Sequence, residues 1–76
     1  MIREHDRVVL TCDLPDYGLV HGDVGVVVHT YKTGGFEVEF VALDGKTVAV
    51  VTLGPDKIRH VTPGEIANAR AVQRVA

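Results

Sequence analysis

Few residues in this 76-residue chain could carry out covalent or acid–base chemistry. The single cysteine, Cys12, is followed directly by Asp13. A neighbouring carboxylate raises a thiol pKa and blunts the thiolate nucleophile. Cys12 therefore reads as a small, partly buried apolar residue. Four histidines, His5, His21, His29 and His60, could in principle bind a metal or move protons. No two share ligand spacing on one helix, and no Cys motif accompanies them. His21 and His29 flank a valine-rich stretch, and His60 could approach another histidine across a closed sheet. Solvated or edge histidines are expected, with no metal and no cofactor. No nucleophile–base pair stands out, so the chain is expected not to be an enzyme and shows no small-molecule substrate.

The charged residues exclude other chemistries. Arg3, Arg7, Lys32, Lys46, Lys57, Arg59, Arg70 and Arg74 are spread among acids, and the net charge is -2. Nucleic-acid binding normally needs a basic face, so the balance weighs against it. Gly34-Gly35 reads as a turn and not a phosphate cradle, because no helix follows it. The N-terminus has mixed charge and no apolar signal region. No apolar run approaches the ~18 residues of a membrane helix. A lone thiol cannot form an internal disulfide and fits a reducing compartment, so a cytoplasmic protein is expected.

The elements that must position these residues are short strands. Arg7–Cys12 is rich in β-branched residues and reads as the first strand, with Val8 and Leu10 on one face. Pro15 and Gly18 then break the chain into a long irregular loop, Asp13 to Asp23, with Leu19 and Val20 pinned beneath it. A central strand runs from Val24 to Tyr31, placing Val24, Val26 and Val28 on one face and Gly25, Val27 and His29 on the other. Its near-continuous valines suggest cover over much of both faces. Gly25 marks a bulge or a close backbone approach. Phe36–Val41 alternates, with Phe36, Val38 and Phe40 inward and Glu37 and Glu39 toward water. Asp44-Gly45 is a hairpin signal before a fourth strand, Lys46–Leu53. Gly54–Lys57 reads as a 3₁₀-like turn and Ile58–Val61 as a last short strand.

The pattern changes at Thr62-Pro63-Gly64-Glu65, which has the residues of a capping box with proline at the first helical position. Ile66, Ala69, Val72 and Val75 follow at three-residue spacing, predicting a helix from Pro63 to about Val75. A helix this short needs a surface to lie on, either its own sheet or a partner. The expected fold is mainly β: a small five-stranded SH3-like barrel over 1–61, with a C-terminal α-helix over 62–76. An OB-type barrel fits less well, because Ala42-Leu43 leaves no room for its usual helix.

Asp6-Arg7-Val8-Val9-Leu10, Leu14-Pro15, Gly18-Leu19, Gly22-Asp23-Val24-Gly25-Val26-Val27, Val38-Glu39-Phe40 and Thr47–Leu53 together resemble the DUF4926 family of small bacterial proteins, over about residues 5 to 61. The resemblance implies the barrel. It says little about activity, although an antitoxin or immunity role against a neighbouring gene product is one implication. The Gly22-x-x-Gly25-x-Val27 core is also similar to KOW-type barrels, without the basic residues with which those meet RNA. The expected function is a protein-binding module that engages a partner or itself, dimerisation being the simplest case. The contact residues would be Asp13, Asp16, Tyr17 and Asp23 on the acidic loop, and Ile66, Ala69, Arg70 and Val72 on the helix. Proline-peptide binding of the SH3 kind is disfavoured, since the chain has no Trp to build an aromatic groove.

Overall fold

The computed structural model describes residues 1–72. Five antiparallel strands form one open sheet: β1 (Arg7–Leu10), β2 (Val24–Thr30), β3 (Phe36–Val41), β4 (Thr47–Leu53) and β5 (Ile58–His60). Their spatial order is β4-β3-β2-β1-β5. Among the described residues β4 and β5 do not pair, so the sheet is not closed into the expected barrel.

Period-two alternation explains the core. Val8 and Leu10 of β1, Val27 of β2, Val38 and Phe40 of β3, Val51 and Leu53 of β4, and Ile58 of β5 form one buried cluster. Phe36 packs at its margin. Glu37 and Glu39 take the opposite face and are half-buried, and cross-strand hydroxyls donate to them. Thr47 Oγ1 reaches Glu39 Oε2 at 2.6 Å, and Thr52 donates to Glu37.

Gly25 on β2 stands under the side chains of the neighbouring strand β3. A Cβ built on it would lie 2.6 Å from Val38 Cγ1 and 2.9 Å from Phe40 Cε1. It is therefore the close-approach glycine of the two expected alternatives. The β2–β3 register shifts instead between Val27 and His29. The extra residue carries His29 opposite Glu37 and off the Gly25/Val27 face, which corrects the simple alternation. His29 there meets Tyr31 edge-on, with centroids 4.7 Å apart.

The loop after β1 has more structure than its Pro and Gly suggest. Pro15–Tyr17 makes one 3₁₀ turn, ended by Gly18 in the left-handed region. Leu14 and Leu19 bridge across it, and Leu19 enters the core. Val20 stays exposed, contrary to expectation. The second 3₁₀ turn, Pro55–Lys57, forms as the sequence predicts. Its carbonyls at Asp56 and Lys57 accept from Thr11 Oγ1 and N–H, tying the end of β1 to the start of β5.

The C-terminal helix does not form over residues 63–72; Arg74, Val75 and Ala76 lie outside the described residues. Half of the capping box is present, with Thr62 N–H donating to Glu65 Oε1 at 2.6 Å. Gly64, however, has φ 86°, and Glu65 N–H closes on Thr62 O at 3.3 Å. Pro-Gly at the centre of a four-residue turn favours positive φ at the glycine. That conformation cannot lead into a right-handed helix. The chain reverses there and continues to Val72 as an arm without regular secondary structure.

Candidate functional site

The arm returns to the loop between β1 and β2 through Arg70. Its Nε donates to Asp23 Oδ1 at 2.9 Å, one terminal nitrogen donates to the other Asp23 oxygen, and the same nitrogen reaches Gly18 O at 3.0 Å. The fork-on-carboxylate geometry suits a guanidinium. Loop structure holds the acceptors in place. Asp23 Oδ2 also accepts from Val20 N–H at 2.8 Å, Asp23 N–H returns to Val20 O, and Gly22, at φ 92°, donates to Leu10 O. Near the turn, Arg59 grips Glu65 through two bonds of 2.9 and 2.8 Å. Arg59 and the Thr62 N–H hold the Glu65 carboxyl down at about 2, against an ordinary 4.5. The paired carboxylates raise both guanidinium pKa values further.

Between this arm and the outer face of the sheet lies an open groove of about 1260 Å³. Asp16, Tyr17 and Asp23 of the loop and Ile66, Ala69, Arg70 and Val72 of the arm all line it. Two contact surfaces expected separately thus meet in one place. Asp13 does not join them. It accepts from His21 N–H at 2.9 Å and lies 3.2 Å from His21 Nδ1, and these contacts, the backbone one first, lower its pKa. Asp13 closes the loop and does not line the groove.

Apolar residues that the expected contact set omits also line it: Val9, Val24, Val41 and Val48 on the strands and Leu43 in the β3–β4 turn. Val9 is only 5% exposed yet sits outside the core cluster, on the opposite face, where it pairs with Val24 and Arg59. The sequence signal for this second apolar face was the valine run itself. Cover is incomplete: Val24 and Val41 are 44% and 43% exposed, Leu43 is 92% and Ile66 91%. Exposed apolar side chains gathered around one groove are the kind of surface that marks interaction sites.

The histidines are elsewhere. His60 meets Asp6, with Nε2 3.2 Å from Oδ2. The Arg3 N–H bond, and then His60, lower the Asp6 pKa. Among the described residues no group of three or more His, Cys, Asp or Glu is placed to hold a metal ion. Nor does any helix there have the length and apolarity to cross a membrane.

Comparison with known proteins returned no curated protein and no solved structure that matches this chain. One family model does match, over residues 4–60, and so spans all five strands and stops before the arm. The chain therefore belongs to the family described as Domain of unknown function (DUF4926).

Proposed function

We propose that this protein is a non-enzymatic, cytoplasmic binding module whose groove takes a polypeptide segment of a protein partner. The observation that carries this reading is the exposed apolar lining of the groove: Val24 and Val41 on the strands, Leu43 in the β3–β4 turn and Ile66 on the arm. The groove's volume exceeds the roughly 300–1,000 Å³ of small-molecule pockets, which favours a chain segment as the occupant. The scaffold is read as SH3-like on its strand order, its long first loop and its 3₁₀ turn before β5. An RNA-binding role of the KOW kind draws less support, because Arg59 and Arg70 at the groove are already neutralised by Glu65 and Asp23. A neutraliser of a neighbouring gene product would use the same surface.

A photo-crosslinking residue at Leu43, compared with one at Lys32 outside the groove, tests the reading in cells. A discrete protein adduct formed at position 43 and absent at position 32 is expected. Equal labelling at both positions, or none at either, refutes the groove as a protein site. So does a reproducible hydrolase or transferase activity lost on changing one polar residue.

A further inference from the structure

We infer that the arm is an internal competitor of the partner: the loop site at Asp23 receives an arginine from an extended polypeptide segment, and Arg70 fills it until the partner's arginine displaces it. This rests on the protein-binding reading above. The acceptors are set by the strand domain and not by the arm. Asp23 Oδ2 accepts from Val20 N–H at 2.8 Å, Asp23 N–H closes on Val20 O, and Gly22 N–H is anchored on Leu10 O of β1. Gly18, held by its own N–H on Pro15 O, presents its carbonyl to the same guanidinium at 3.0 Å. The family match over residues 4–60 contains this whole loop and leaves out its occupant. A carboxylate and a carbonyl aimed at one point select arginine, since a lysine ammonium cannot fork onto the carboxylate.

The present occupant is weakly held. Residues 66–71 are exposed and have no regular secondary structure. Among the described residues, the hydrogen bonds that residues 66–72 make to the rest of the chain all come from Arg70. The apolar side chain at the start of the arm, Ile66, gains almost no burial from the closed position. A surface ion pair contributes little, because solvent screens it and ordering two long side chains opposes it. Open and closed arms therefore differ little in free energy. A partner's affinity is then lowered only by the fraction of chains in which the arm is open. The arm sets a threshold for binding at Asp23 without blocking it, and the segment that passes the threshold is one that carries a guanidinium.

A blocked peptide of residues 66–72, added to the full chain and followed by NMR at the Gly18 and Asp23 amides, tests both parts. Arg70→Ala frees the site, and the peptide is expected to bind that variant about fivefold more tightly than wild type, the population ratio a surface ion pair sustains. The same peptide with citrulline at position 70, which keeps the shape and loses the charge, is expected not to move these amides. Asp23→Asn added to Arg70→Ala should abolish binding, and it leaves an oxygen for the Val20 N–H, so the loop keeps its fold. Equal affinity for wild type and Arg70→Ala overturns the competition. Citrulline peptide binding as tightly as arginine peptide, binding that survives Asp23→Asn, or no binding to Arg70→Ala overturns the arginine site. Crosslinking at Leu43 separates these failures from failure of the broader role. Arg70→Ala should raise the yield of Leu43 adducts. An equal yield with and without Arg70 leaves the groove a protein site and removes the arm as its competitor; no adduct from either protein overturns both readings.

Discussion

A methyl group placed on Gly25 tests the close approach of β2 to β3. Its Cβ would lie 2.6 Å from Val38 Cγ1 and 2.9 and 3.0 Å from two Phe40 ring carbons. Val38 and Phe40 are both fully packed in the core, so neither can swing away freely. The backbone at Gly25 is not left-handed, and alanine meets no torsional barrier there. Overpacking of this kind costs about 1–3 kcal/mol. Replacing a strand glycine returns about 0.5–1 kcal/mol through lower chain entropy. The balance is a loss near 1 kcal/mol, a fall in Tm of about 4–8 °C for a domain of this size. Gly35→Ala is the matched control, because its Cβ would meet nothing nearer than 3.8 Å. Thermal unfolding followed by circular dichroism should separate the two variants. Trimming the nearest obstacle with Val38→Ala should make the double variant less unstable than the sum of the single changes. A Gly25→Ala protein as stable as wild type would refute the close-packing account and return Gly25 to an ordinary strand position.

Three further outcomes follow from the same geometry. Leu10→Ala removes a fully buried side chain and should cost ~2–5 kcal/mol, enough to leave so small a domain largely unfolded in a urea titration. Arg70→Ala should leave stability within ~1 kcal/mol of wild type, as exposed ion pairs do, but should shift the Gly18 and Asp23 amide resonances. High salt should move those resonances in the same direction by screening the pair. The Arg59–Glu65 clasp should respond to acid. Because the Glu65 pKa is lowered in the folded chain, its contribution is present above about 4.5 and is lost as pH falls toward about 2. Carboxyl resonances of Glu65 titrating near 4.5 in the folded protein would contradict the clasp.

Much of the sheet was legible in the residue order because its signals are local. Phe36–Val41 alternates strictly, Asp44-Gly45 marks its hairpin, and Pro55-Asp56-Lys57 marks the turn before β5, so their placement needs only period and turn chemistry. The apolar outer face was hinted at by valines on both sides of β2. The same local reasoning misassigned the C-terminus, where two signals overlap. Thr62 and Glu65 spell a capping box, while Pro63-Gly64 spells a turn with positive φ, and the glycine conformation decides between them.

What only the tertiary structure decided lies at long sequence separation. Gly25 could be flagged in the chain as a bulge or a close approach, but Val38 and Phe40 make it the latter. The bulge falls beyond Val27 and turns His29 to the other face. Asp23 and Arg70 were both named as contact residues on separate elements, and no pattern of spacing joins positions 47 apart. Alternation and turn propensity act over a few residues and so can be read in order. A groove exists only when the sheet has set the loop, the outer valines and the returning arm beside one another.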